Sequence, residues 1–177
     1  MKPAPFLRRL AAYALDCVVL FGGLLLLQAA LIPINPILAM QRDGRVFTGA
    51  QLHLWVFATA TIPFLLYFAI SIASSRQATP AMRWLRIRVE GVGDGGIPVS
   101  IGRALVRTAV LLLPFEINHT VMFQMSSTSA GGPGLAAWMG IAAVWVLLAI
   151  YVGTAVLTRR RQSVHDLMAR TVVVEAV

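Results

Sequence analysis

Charge is scarce in this chain: only 12% of its 177 residues are charged, while 58% are hydrophobic. Ordinary soluble domains are about 45–50% apolar and about 25% charged, so a soluble globule is excluded. Cysteine is nearly missing. Cys17 is the only one, which rules out an intrachain disulfide and leaves it the role of a small side chain in a helix. Acidic residues are also few, seven against fifteen Lys and Arg, for a net charge of +8. No activated nucleophile, cofactor fingerprint or complete metal-ligand set stands out, so neither an enzyme nor a cofactor or metal site is expected.

What the chain has instead is long apolar runs. A hydrocarbon core about 30 Å thick takes roughly 20 apolar residues at about 1.5 Å of rise each. Residues 10–32, 52–73, 104–125 and 135–157 each meet that need, and the last run carries no formal charge. A basic start followed by an apolar run also describes a secretory signal. Here, however, the run exceeds an h-region of about 7–15 residues, contains Asp16 and precedes three further runs.

If all four runs cross a bilayer, then Lys2, Arg8 and Arg9, the arginines from Arg76 to Arg107, and Arg159, Arg160, Arg161 and Arg170 share one side. Only Arg42 and Arg45 lie on the other, and residues 126–134 are uncharged. The positive-inside rule then places both termini, the loop 74–103 and the tail 158–177 in the cytoplasm. Arginines that flank membrane segments in this way meet anionic lipid headgroups and argue against a nucleic-acid partner. The expected fold is an all-α membrane protein, a single domain over residues 1–177, with four transmembrane helices in a small bundle of two helical hairpins.

The loop between the second and third runs carries its own pattern. In Trp84-Leu85-Arg86-Ile87-Arg88-Val89-Glu90, apolar and charged residues alternate as in a half-buried strand. A glycine-rich turn from Gly91 to Gly96 leads to Ile97-Pro98-Val99, which predicts a short cytoplasmic β-hairpin. The β-prone Thr171-Val172-Val173-Val174 is a candidate third strand. In the last run, Ala136 with Gly140 and Ala149 with Gly153 place small residues four apart, which permits close approach to a neighbouring helix or to a second protomer.

Some patterns imitate known sites. Gly91-Val92-Gly93-Asp94-Gly95-Gly96 fits a dinucleotide-binding fingerprint, but Pro98 and an extended stretch follow where a helix must begin. Asn118-His119-Thr120 fits a glycosylation acceptor inside a span, out of reach. Ser163, His165 and Asp166 are too close in sequence to count as a triad. Glu116 and His119 are half of a di-iron ligand set whose other half is missing.

The polar groups within the runs demand partners. An ionised Asp16 near the bilayer centre costs about 2.5–3.5 kcal/mol on insertion scales. Arg9, two turns earlier on the same helix face, can meet it through water or a neighbouring chain; alternatively Asp16 accepts a hydrogen bond or is protonated. It is thus either a proton- or cation-binding carboxylate or a polar clamp between helices. In the third run Pro114 is expected to break the helix beside Glu116, Asn118 and His119, as in membrane proteins that line a polar cavity. Counted from Arg107, Glu116 lies about 13 Å deep. Asp166, beside His165, reads as a helix cap or as a partner of Arg9 or Arg103.

Taken together, the chain resembles the RDD family of bacterial membrane proteins. The similarity lies in Arg9-x-x-Ala12-x-x-x-Asp16; in the block from Thr79 through Leu85, Arg88-Val89 and Gly95-Gly96 to Arg103-x-x-x-Arg107; and in Gln162-x-x-His165-Asp166-x-x-Ala169-x-Thr171-Val172-Val173. The resemblance implies that Arg9, Asp16 and Asp166 are the family's arginine and two aspartates, in an inner-membrane protein. Where the family carries a glycine and lysine, this chain has Ala81 and Met82, so the lysine's role is missing or falls to Arg83. The family implies transport, in some members cation/proton antiport.

Two functions follow as expectations. One is a small transporter exchanging monovalent cations for protons, with Asp16, Glu116 and His119 as ion or proton sites and Arg9, Arg103, Arg107, His165 and Asp166 as a structural or gating network. The other is a scaffold that binds a partner membrane protein, a second copy or anionic lipid through its Arg-rich face.

Overall fold

A computed structural model of the chain describes residues 2–32, 42–44, 48–126 and 134–176. Arg45 and most of the uncharged loop lie outside the described residues. The first helix, α1 (Phe6–Leu31), starts a turn before the apolar run and so includes Arg8 and Arg9. The second, α2 (Gly49–Ala73), opens on a capping box in which the Thr48 hydroxyl accepts from the Gln51 amide at 3.2 Å, while the Gln51 side chain accepts from the Thr48 amide at 3.1 Å. Its middle is a π-turn, Phe57–Thr61, just ahead of Pro63. Proline has no amide hydrogen to offer the turn below it, and a π-turn is one way for a helix to absorb that gap.

A short helix, α3 (Pro80–Trp84), follows, capped by the Thr79 hydroxyl on the Met82 amide at 3.2 Å. Strand β1 (Ile87–Gly91) leads through the glycine turn to α4 (Ile101–Ser126). Then come α5 (Leu135–Leu157), α6 (Val164–Met168) and β2 (Thr171–Glu175).

The expected hairpin is corrected. β1 pairs antiparallel not with 97–99 but with β2, in the register Ile87↔Glu175 to Gly91↔Thr171. Pro98 has no amide to donate, and Gly93, Gly95 and Gly96 all take positive φ, turning the chain toward α4 instead of back along β1. On the other edge of β2 the N-terminal segment joins, with the Ala4 amide on the Val173 carbonyl at 2.9 Å and the Glu175 amide on the Lys2 carbonyl at 3.1 Å. Both ends of the chain are therefore held in one small module.

α4 is continuous through Pro114, so the expected break is absent. One missing donor is tolerated there, and the helical irregularity sits in α2. Among the described residues three helices, Phe6–Leu31, Gly49–Ala73 and Leu135–Leu157, are long and apolar enough to cross a membrane. α4 has 26 residues but carries Arg103, Arg107, Glu116, Asn118 and His119, which lower its apolarity.

α4 is the hub of the packing: it lies against α2, α5 and α6, while α1 packs on α3 and on the π-turn. A side chain at Gly140 would run into Val121, so this glycine serves the close approach of α5 to α4; Gly153 has open space. The buried core gathers at the sheet end, where Phe68, Ile72, Met82, Ile87, Val89 and Val173 meet. Farther along, large apolar side chains such as Leu25, Leu26 and Trp145 are about 70% exposed. Outward apolar faces are what a lipid solvent requires.

Candidate functional site

Among the described residues, three groups of polar and ionisable side chains bear on function. At the sheet end, Asp166 is fully buried, and its carboxylate joins three distant segments. Oδ2 accepts from Arg9 Nη2 and, at 3.2 Å, from the Ser163 amide; Oδ1 accepts from Arg107 Nε at 3.0 Å. Arg9 also donates to the Arg161 carbonyl. The amide bond from Ser163 shows Asp166 capping α6, so it is both the cap and the arginine partner that its sequence position suggested. The arginine beside Arg9 is Arg107, not Arg103; Arg103 instead holds the glycine turn and tail through Asp94 and the carbonyls of Ala169 and Arg170.

Burial alone would push the Asp166 carboxyl upward, but Arg107, a protonated His165, Arg9 and the Ser163 amide outweigh it and bring the pKa to about 2. For His165, burial pushes the imidazole down, Asp166 opposes this, and Arg107 and Arg9 push down again, to about 3. His165 is therefore uncharged at neutral pH. Both folded-state values lie below the unfolded ones, so the unfolded chain takes up protons first. Stability is complete above about pH 6.5 and is lost as pH falls toward 3, at up to about 1.4 kcal/mol per pH unit for the histidine proton. The melting temperature in detergent should fall between pH 6.5 and 4, and His165→Gln should flatten that decline. An unchanged pH slope in the variant would rule the histidine out.

The second group surrounds Asp16, also fully buried. Its carboxylate accepts from the Tyr67 hydroxyl at 2.7 Å, the Thr79 hydroxyl at 2.5 Å and the Ala81 amide at 3.4 Å. Asp16 thus joins α1 to α2 and to the N-terminus of α3, where exposed amides favour a carboxylate. Arg9 does not meet it, and Arg83 is exposed and makes no ion pair with it. Of the three residues that the resemblance singles out, Arg9 and Asp166 come together and Asp16 stands apart. Where the family has glycine and lysine, the Ala81 amide serves Asp16 and the Met82 side chain is buried.

The third group lies between α1, α2 and α4. Glu116 borders a cavity of about 340 Å³ together with Tyr13, Cys17, Gln28, Thr59 and His119. Its Oε1 accepts from the Thr61 hydroxyl, and its Oε2 lies 3.2 Å from His53 Nε2. His119 Nδ1 is 3.6 Å away, too far for a hydrogen bond, and is buried without a partner. Thr61 ends the π-turn, so the irregular backbone aims its hydroxyl at Glu116. Also in that turn, Thr59 accepts from Gln28 at 2.8 Å and donates to the Trp55 carbonyl at 2.7 Å. Asn118 is exposed and borders a different groove with Pro114 and Trp145.

Sequence reasoning missed His53 and Thr61. A histidine near the start of an apolar run was the available signal. Among the described residues no group of three or more His, Cys, Asp and Glu side chains is arranged to hold a metal ion.

Apolar helices with outward hydrophobic faces, closed at one end by a charged and hydrogen-bonded module, define a membrane protein. The RDD family model matches residues 3–170, nearly the whole chain, and the protein belongs to the RDD family. No curated protein and no solved structure matches it closely enough to count as a relative.

Proposed function

We propose that the protein is a small multi-pass transporter that exchanges protons for a monovalent cation, with Glu116 as the exchangeable carboxylate. In this reading α4 crosses the inner membrane with the other three long helices, and both termini and the sheet module face the cytoplasm. The observation that carries it is Glu116 on a partly open cavity between α1, α2 and α4, flanked by His53, His119 and the Thr61 hydroxyl. A carboxylate in a low-dielectric site holds either a proton or a cation, and ring nitrogens beside it can relay the proton.

Tyr13 borders this cavity and a second one nearer the sheet, and stacks on Phe68 at 6.0 Å between centroids. No step of this scheme makes or breaks a covalent bond other than to hydrogen, and we assign no enzymatic activity.

The test is proton movement in proteoliposomes under an imposed pH gradient, with sodium, potassium or lithium added. The wild type should dissipate the gradient in a cation-dependent way, and folded Glu116→Gln should lose at least 90% of that rate. Absence of flux from folded wild type would favour a second reading, a scaffold. That reading is supported by the arginine-lined cleft of Arg76, Arg83, Arg86 and Arg88 and by Trp84, which is 74% exposed.

A further inference from the structure

α1 leans on α3 and the π-turn, whereas α5 leans on α4 and α6. Beside the sheet module this arrangement leaves a partly open cavity of about 170 Å³ bordered by residues of α1, α4 and α5. Its polar lining includes Arg9, Arg107, Ser163 and His165 beside Tyr13 and Tyr151, and its apolar walls include Phe6, Leu10, Leu111 and Val152.

Two arginines share one carboxylate here, which leaves one positive charge unmatched in a buried setting. Arg107, with its side chain only 3% exposed, spends only Nε on Asp166, and no acceptor among the described residues meets its terminal nitrogens. Arg107 itself lines the cavity. His165 borders the same space, and its buried Nδ1 has no partner. Such groups call for an anion, since an unpaired buried cation is costly.

We propose that this cavity seats one anionic phospholipid from the leaflet on the sheet side. Its phosphodiester binds Arg107 and Arg9, and its acyl chain leaves between Leu10 and Val152. A phosphodiester carries the single negative charge that completes the balance, and a guanidinium offers it paired donors. Leu10 and Val152 are each about half exposed on the outward faces of α1 and α5, so the apolar walls lead toward lipid. A small hydrophilic anion would have no use for those walls. The site is independent of transport through Glu116.

Native mass spectrometry of the full-length protein released from detergent tests it, with phosphatidylglycerol, phosphatidylcholine and inorganic phosphate added separately. One phosphatidylglycerol should be retained, and phosphatidylcholine should bind at least tenfold more weakly. Arg107→Gln leaves Arg9 and Asp166 as a neutral pair and should erase that preference. Val152→Trp fills the gap without touching a charge and should weaken phosphatidylglycerol at least tenfold, which keeps the test decisive where Arg107→Gln fails to fold. Equal retention of the two lipids, or an unchanged preference in both variants, would overturn the proposal. So would inorganic phosphate that displaces the lipid at equal concentration, because the site would then belong to a free anion.

Discussion

Asp166→Asn should be among the most damaging single substitutions in the chain, with a loss of about 3–5 kcal/mol and little folded protein recovered from membranes. The change keeps volume and removes only the charge, and it leaves Arg9 and Arg107 facing each other without the protein's own counterion. Breaking a buried ion pair by removing one partner typically costs that much, because the remaining charge is desolvated and unpaired. Here the effect is compounded by position. Asp166 is the joint between the start of α1, α4 and the tail, through Arg9, Arg107, Ser163 and Thr171. Arg107→Gln added to Asp166→Asn should recover part of the loss, since one fewer cation is then stranded. Thermal unfolding of the purified proteins in detergent measures both effects. A near-neutral Asp166→Asn would mean that water or lipid already satisfies the arginines.

Helix positions were legible because hydropathy over about 20 residues is a local property. The discrepancies lie where another force takes over. α1 begins at Phe6 because helical bonding continues past the first arginine, whose charged end reaches the polar side while its stem follows the helix. β1 was legible from alternation, but its partner was not, because pairing with residues some 80 positions away leaves no local signal. Pro98 was the one local clue against the hairpin.

The same holds for the charged groups. Seven residues along a helix separate Arg9 from Asp16 by about 10 Å of rise, more than an ion pair spans. Shared helix face therefore did not make them partners, and each found one from a distant segment. Pro114 and Pro63 show the limit of reading prolines. The first is absorbed in a continuous helix, while the second follows a π-turn that supplies a hydroxyl to Glu116.

Asp16→Ala separates the clamp from the transport site. Removing this carboxylate strands the Tyr67 and Thr79 hydroxyls and the Ala81 amide, and it loosens α3 from α1. A hydrogen bond to a charged group contributes about 1.5–3 kcal/mol, and a donor left buried and unsatisfied costs about 1–3 kcal/mol, so a loss on the order of 3 kcal/mol is expected. Asp16→Asn should cost less, because one oxygen remains for the amide or a hydroxyl. Both hydroxyls can rotate to accept from the new amide group. Once folded protein is matched by quantity, Asp16→Asn should keep most of its cation-dependent proton flux, whereas Glu116→Gln should not. Full burial and three fixed donors leave Asp16 little freedom to exchange a ligand, while Glu116 borders a cavity with two histidines beside it. Flux lost in both variants at equal folded amounts would return Asp16 to the pathway and make the transport route run the length of α1.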